Sequence, residues 1–244
     1  MAAHIPIKVT AHLESGIAHA TPWGISLDGI LASELHHAHK AQLLEHGHEH
    51  TPLVEQEEPV DLPLPLARCE RGRDWHWAAT CSWPVDGHEH LPDVQPWISR
   101  VDHRALTDVV DESLQKVIDD QRGRYRSHLM PLLVTTTTAV SWTCVGDPGA
   151  VEQLLQPVRA IGKKRAHGQG HVLAWDVSPA EDLDVWVAAH LHPDGTLGRP
   201  CPPECLEHAT APVVDRETLT AGRTGIRPPL VHPARQVDQF LPTR

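Results

Sequence analysis

A run of β-branched residues between positions 132 and 144 is the feature that most restricts how this 244-residue chain can fold. The run reads LLVTTTTAVSWTC, and branching at Cβ favours extended backbone over helix. It therefore predicts a strand from Leu132 to Cys144. A second strand is predicted over residues 5–14, where apolar side chains alternate with polar ones and would bury one face.

The predicted elements follow one another in an order that limits the topology. A helix should begin near Leu27, with Ser26 or Asp28 as its cap. The further predictions are strands at 75–83, 132–144 and 171–177, and a short helix around 151–155. The resulting order of strands and helices is that of a split βαβ unit. We therefore predict an α+β fold with a ferredoxin-like core, an architecture that often binds RNA.

The rest of the chain is predicted to decorate this core within a single domain, residues 1–244. Segments 45–74 and 84–130 are predicted insertions. Residues 178–244 are a predicted C-terminal extension of the same domain, because no clean linker separates them from the core. One further helix is possible between Leu106 and Ile118.

Hydropathy, the N-terminal sequence and the cysteine content point to a cytoplasmic protein. No apolar run reaches the roughly 20 residues of a membrane span, and the N-terminus lacks a basic and then apolar secretory pattern. The five cysteines are odd in number and widely spaced, which favours reduced thiols. Cys201 and Cys205 have the spacing of half a zinc site, but only His208 follows, so no metal or other cofactor is predicted.

Charge is distributed unevenly along the chain. The net charge of −11 argues against nucleic acid, yet residues 1–120 hold 20 acidic and eight basic residues, whereas residues 121–244 hold 12 and 13. Within 122–171 seven basic residues face two acidic ones. Salt screens charges beyond roughly 8 to 10 Å, so a local basic patch sets the field that a phosphate chain meets.

A glycine-rich cationic segment between the second helix and the last strand is the most informative motif. It reads GKKRAHGQG from Gly162 to Gly170. Glycines let the backbone approach a phosphate closely, and exposed N–H groups can form an anion-binding nest. The order of residues does not fit a Walker loop, and a dinucleotide fingerprint would precede a helix rather than a strand.

The segment from Ile161 to Val172 resembles the glycine-rich loop of the RAMP superfamily of CRISPR proteins. Four other stretches resemble, in the same order, the type IV member of the Cas-five family, also called Csf-three. These are Ser26–Ala32, Leu64–Leu66 with Trp75–Thr80, Gly123–Arg126 with Pro131 and the strand ending at Gly146–Asp147, and Arg223–Pro229. Together they span most of the chain.

The resemblance implies a non-catalytic subunit of a CRISPR ribonucleoprotein in antiviral defence. Such a subunit caps the foot of the effector complex, binds the 5′ handle of the guide RNA (crRNA), and touches the backbone and large subunits. The resemblance does not decide whether the subunit contacts target DNA, and it implies no membrane partner. The RNA contacts that it implies lie in the loop: Gly162, Lys163, Lys164, Arg165, His167, Gly168 and Gly170. Charge alone adds four arginines: Arg124, Arg126, Arg223 and Arg227.

Two alternative functions follow from histidine and tyrosine content. Some relatives cleave the guide precursor, and a metal-independent endoribonuclease would need groups such as His167 and Tyr125 beside a 2′-hydroxyl. A metal-binding protein is the other alternative, because histidines cluster at 36, 37, 39, 46, 48, 50, 88 and 90. The composition of the whole chain, with 20 histidines, explains these clusters without a metal.

The tryptophans divide between core and surface. Trp142 and Trp175 fall on predicted strands and are expected in the core, whereas Trp75 and Trp77 share one face of a strand and fit either core or base stacking.

Overall fold

The structure is a computed structural model that describes residues 4–85, 92–99, 126–207 and 219–243. Its strands are β1 (Ile5–Leu13), β2 (Ile17–His19), β3 (Arg68–Cys69), β4 (His76–Trp77), β5 (Trp83–Pro84), β6 (Asp93–Ser99), β7 (His128–Thr135), β8 (Ala139–Gly146), β9 (Val172–Pro179), β10 (Thr220–Gly225) and β11 (Gln236–Leu241). Its α-helices are α1 (Leu27–Glu45), α2 (Pro148–Leu155), α3 (Val185–His190) and α4 (Pro203–Glu207). The α+β class with antiparallel sheets is confirmed.

The central sheet has four strands in the order β5-β8-β1-β9, and all neighbours are antiparallel. The alternation predicted for the first strand is present, because Ile7, Val9 and Ala11 are fully buried. Helices α1 and α2 contact each other, and their apolar side chains join this face of β1 in the largest hydrophobic cluster. The cap predicted at Ser26 is also observed, since its hydroxyl accepts from the amide of Gly29.

The run from Leu132 to Cys144 is not one strand, and this prediction was wrong. The chain breaks at residues 136–138, so that β7 and β8 belong to different sheets. β1 and β2 break at the same level, and together the four strands form one bent antiparallel ribbon. At the bend a Cβ on Gly16 would come within 2.5 Å of the Thr135 carbonyl oxygen. Propensity could not reveal the bend because threonine suits extended backbone on either side of it.

The predicted strand at 75–83 is also discontinuous. Only β4 and β5 are regular, and isolated bridges such as that from Ala79 to Cys144 join the intervening residues to the central sheet. The first helix, in contrast, is longer than its apolar spacing indicated and extends to Glu45 through an exposed, histidine-containing half. The possible helix at 106–118 lies outside the described residues.

The segment after β9 packs on the opposite face of the central sheet. Helix α3 contacts β8 and β1, and Ala188 and Ala189 form a small cluster with Val145 and Ala78. The β10–β11 hairpin joins this region through a bridge between Cys201 and Phe240. In the described part of the chain, no helix combines the length and hydropathy needed to cross a membrane.

Candidate nucleic-acid interface

The glycine-rich loop connects α2 to β9 and is fixed at both ends. A bridge between Ala160 and His171 closes its base. Further along, the amide of Lys163 donates to the Ala18 carbonyl of β2 at 2.9 Å, and the amide of Gly170 donates to the Gly16 carbonyl at 3.0 Å. The loop is therefore attached to the bent ribbon, beside β2.

The tip of the loop is a single 3₁₀ turn, Arg165–His167, bounded by two left-handed residues. Lys164 has φ 58° and ψ 31°, and Gly168 has φ 84°. Among the described residues Lys164 is the one non-glycine residue with positive φ. Such a conformation costs an L-residue roughly 1 to 2 kcal/mol and is often found at functional sites.

Two of the loop glycines are required by packing. A Cβ on Gly162 would collide with the Ala18 carbonyl oxygen, and one on Gly170 would collide with that of Ile161. A Cβ on Gly168 would meet no atom within 4 Å, so only the positive φ of this residue favours glycine. The glycines thus shape a compact turn that directs the intervening side chains outward.

The cationic side chains of the loop face solvent, and two residues of the loop, Lys164 and His167, contact the Trp97 ring. Lys163, Arg165 and His167 are exposed. The Lys164 ammonium lies 4.6 Å from the ring centroid of Trp97, and the His167 ring lies 4.7 Å from it in an edge-on arrangement. The sequence patterns did not single out Trp97, which lies in the segment predicted to be an insertion.

Trp97 belongs to the β6–β7 hairpin, which exposes an unusual amount of apolar surface next to the loop. Over residues 93–99 every side chain is exposed except the half-buried Trp97. The large apolar side chains exposed here are Val94, Ile98, Leu129 and Met130, with 41–70% of their surface accessible. A cationic loop beside apolar and aromatic surface is the combination that single-stranded nucleic acid requires.

A pocket of about 270 Å³ lies between the loop and the first half of α1. Its lining combines apolar side chains, among them Ile25, Ile30 and Ile161, with the cationic Lys163 and Arg165 and the acidic Glu34. An unstacked base and its phosphate match these two kinds of surface.

The four arginines added on charge lie in different surroundings. Arg126 is exposed just before β7, Arg223 is exposed on β10, and Arg124 lies outside the described residues. Arg227 is held by an ion pair from its Nε to Asp61 Oδ1 at 3.0 Å, and its guanidinium covers the Trp75 ring at 4.4 Å. The contacts described for Arg227 are therefore not with the loop, and RNA contacts by all four arginines stay predictions.

Burial and side-chain contacts show which of the tryptophans belong to the core. Trp142 is buried as predicted, and Trp175 packs against the core and donates to the Val158 carbonyl. Trp77 is buried, whereas Trp75 is half-buried with Arg68 and Arg227 against its ring.

The residues proposed for catalysis are only partly described. His167 is exposed at the loop tip beside Trp97. Tyr125 lies outside the described residues. The endoribonuclease alternative therefore gains no second group from the described geometry around His167.

Histidines of α1 and the following turn lie close together without forming a metal cluster among the described residues. His36 contacts His37 and His50, with ring centroids 6.2 and 4.8 Å apart. Burial, and then the charge of His50, lower the pKa of His36 below its usual value. His88 and His90 lie outside the described residues.

Cys201 and Cys205, whose spacing is that of half a zinc site, lie in different surroundings in the fold. Cys201 is fully buried beside Phe240, and burial raises the pKa of its thiol to about 12. His208 lies outside the described residues. Cys205 instead meets Cys69 and two histidines, beside the second hydrophobic cluster of the molecule.

Comparison with known proteins places most of the chain in one family. The sequence model described as CRISPR type IV associated protein Csf3 matches residues 5–205, from the first strand to the last helix. No curated protein matches the chain.

Proposed function

The chain belongs to the family of CRISPR type IV associated protein Csf3, and from this membership we propose that it is the guide-RNA-binding subunit that caps the foot of a type IV effector complex. In this role it binds the 5′ handle of the guide RNA without cleaving it, in the cytoplasm. Its partners are the guide RNA and the backbone and large subunits.

We assign the core to the ferredoxin-like RAMP architecture. The sheet order β5-β8-β1-β9 supports this assignment, since it is the order of a split βαβ repeat when β1, β5, β8 and β9 are taken as its four strands. Helices α1 and α2 then occupy the two crossover positions, and their contact on one face of the sheet agrees with that role. The whole chain, 1–244, is one domain in this proposal, with 45–74 and 84–130 as insertions and 178–244 as an extension.

The conformation of the glycine-rich loop carries the RNA-binding proposal. Three consecutive cations are presented on a turn whose Lys164 is held in a left-handed conformation. The strain is maintained by backbone bonds, including that from the amide of His167 to the Lys164 carbonyl at 2.9 Å. A solvated turn without a ligand gains nothing from such strain, whereas a phosphate contact would reward it.

The surface around the loop supports a single-stranded handle as the ligand. Phosphates would meet Lys163, Lys164 and Arg165, while bases would meet Trp97 or enter the pocket beside α1. The exposed apolar side chains of the β6–β7 hairpin offer a surface for a partner subunit or for bases. The proposed contact to the handle is extended by four arginines: Arg124, Arg126, Arg223 and Arg227.

The test uses the complex and then the isolated protein. The protein is co-purified with the products of its genomic neighbours, and the bound small RNA is sequenced. In a second step, binding of the purified protein to a synthetic handle RNA is titrated over a range of salt concentrations. Both steps compare the wild type with the triple variant K163A/K164A/R165A.

A control variant removes the same charge elsewhere. It carries alanine at three exposed cations remote in sequence from the loop: Lys8, Lys40 and Arg73. Loss of three phosphate contacts should lower the slope of log K against log salt by about 2 for the loop variant, at about 0.7 per contact. Equal slopes for both variants would refute the proposal.

The same preparation separates binding from cleavage. We expect guide precursor to remain intact when it is incubated with the wild type or with H167A. If the wild type cleaves the precursor and H167A does not, the endoribonuclease alternative is supported and the non-catalytic role is refuted.

A further inference from the structure

Two cysteines and two histidines from four separate elements meet at one buried point. Cys69 is on β3 and His76 is its direct partner on β4. His190 is the last residue of α3, and Cys205 lies in α4. One ligand atom of each residue lies within 4.8 Å of the other three, and all four residues are buried.

Two of the separations between these atoms are close to the edges of a tetrahedron around a metal ion. The two Sγ atoms are 3.9 Å apart, and Cys205 Sγ is 3.4 Å from Nε2 of His76. Zinc bonds of about 2.3 Å to sulfur and about 2.0 to 2.1 Å to nitrogen place such atoms roughly 3.4 to 3.8 Å apart. The sulfur–sulfur distance is far from the roughly 2.05 Å of a disulfide.

Both imidazoles are oriented for coordination through Nε2. Nδ1 of His76 donates to the Trp77 carbonyl at 2.9 Å, and Nδ1 of His190 donates to the Trp186 carbonyl at 2.8 Å. These bonds fix the tautomer, so that Nε2 of each ring carries the lone pair, which is the usual arrangement around metal ligands. Nε2 of His190 is buried and has no hydrogen-bond partner among the described residues.

The surroundings hold the four side chains in place and exclude water. The Trp186 indole stacks on the His190 ring at 5.0 Å and donates to the Cys205 carbonyl at 3.0 Å. Leu191 and Leu197 complete an apolar wall. A buried imidazole nitrogen without a partner is costly in such a place unless a ligand binds it.

We propose that Cys69, His76, His190 and Cys205 form a structural zinc site. Thiolate and imidazole ligands in a closed four-ligand set select Zn²⁺ over oxygen-preferring cations, and no position is left open for catalysis. The ion ties α3 and α4 of the C-terminal extension to the β3–β4 hairpin at the end of the first insertion. It therefore links segments that are 136 residues apart in the chain.

Metal content is the first measurement. The full-length chain is purified without chelator, dialysed against metal-free buffer and analysed by plasma mass spectrometry. We expect about one zinc ion per chain, and we expect cobalt exchange to give the intense visible absorption and sulfur-to-metal charge transfer of a tetrahedral site with two thiolates.

Variants distinguish this site from chance binding by other histidines and cysteines. C69S and H190N should lose most of the bound zinc, and the cobalt complex of C69S should lose about half of its charge-transfer intensity. C201S is the matched control, because Cys201 is equally buried and four residues from Cys205 but outside the cluster. C201S should keep the full zinc content and the cobalt spectrum.

Three results would overturn the proposal. One is a wild type that is folded by circular dichroism and holds no zinc when offered a slight excess. Another is a disulfide between Cys69 and Cys205 in the folded protein, and the third is equal zinc loss in C201S and C69S. None of these measurements involves RNA, so the zinc site and the RNA-binding role can fail independently.

Discussion

Replacing Arg199 by methionine should remove a large part of the protein's stability. Arg199 is 3% exposed, and its Nη2 lies 3.7 Å from Oδ2 of the fully buried Asp28 in the first turn of α1. Its guanidinium also donates to the carbonyls of Trp77, Ala79 and Ile226. The side chain thus joins the first helix, the discontinuous strand region and the segment after β10.

The magnitude follows from the ion pair and the hydrogen bonds. Two unit charges at this separation attract by about 4 kcal/mol at an effective dielectric constant of 20, and breaking a buried pair typically costs about 3–5 kcal/mol. The carbonyls that lose a donor add about 1 kcal/mol each, less what methionine recovers by packing. We expect R199M to lower the free energy of unfolding by about 4 kcal/mol, out of a typical total of roughly 5–15 kcal/mol.

Urea unfolding followed by circular dichroism measures this difference. R223M is the control, because Arg223 is an exposed arginine on β10 and its loss should change stability by less than about 0.5 kcal/mol. In the R199M background D28N should restore about 2 kcal/mol, because asparagine carries no charge to be left unpaired. A loss below about 1.5 kcal/mol in R199M, or no gain from D28N in that background, would refute the electrostatic explanation.

Three other predictions concern the loop and the first helix. The free energy of unfolding of K164G should lie within about 1 kcal/mol of that of the wild type, because relief of the left-handed strain offsets the entropy that glycine loses on folding. The same substitution should lower the slope of log K against log salt for handle binding by about 0.7. G170A should lower the free energy of unfolding in urea by at least about 2 kcal/mol more than G168A does, because only the Cβ added at position 170 would collide with a backbone atom. Equal losses in the two variants would contradict the described packing of the loop. In an NMR titration the pKa of His36 should lie below its usual 6.5 and rise in H50Q, which removes one like charge. Because the folded-state pKa is lowered, His36 should lower stability as pH falls below 6.5, and an unchanged pKa in H50Q would contradict this assignment.

Local patterns predicted several elements because each depends on neighbouring residues. Ser26 caps α1 as such residues do in most contexts, and the alternation in β1 shows directly which face is buried. The family resemblance drew on stretches from Ser26 to Pro229, and the match over 5–205 confirms it.

Local patterns failed where distant segments compete for the same backbone. The threonines after Val134 suit a strand, yet the chain bends there because the first half of the run pairs with β2 and the second half with β1. Trp97 was likewise overlooked, since only the folding of the β6–β7 hairpin brings its ring to Lys164.

The sequence by itself determined β1, the start of α1, α2, β9, the cationic loop and the family, because these depend on side-chain chemistry over short stretches. Tertiary structure decided which cysteines meet. Spacing along the chain pairs Cys205 with Cys201, but helical and sheet geometry direct Cys205 towards Cys69, 136 residues away. A metal site depends on the directions of Cβ–Sγ and imidazole vectors in space, and these directions are fixed only when β3, β4, α3 and α4 pack together.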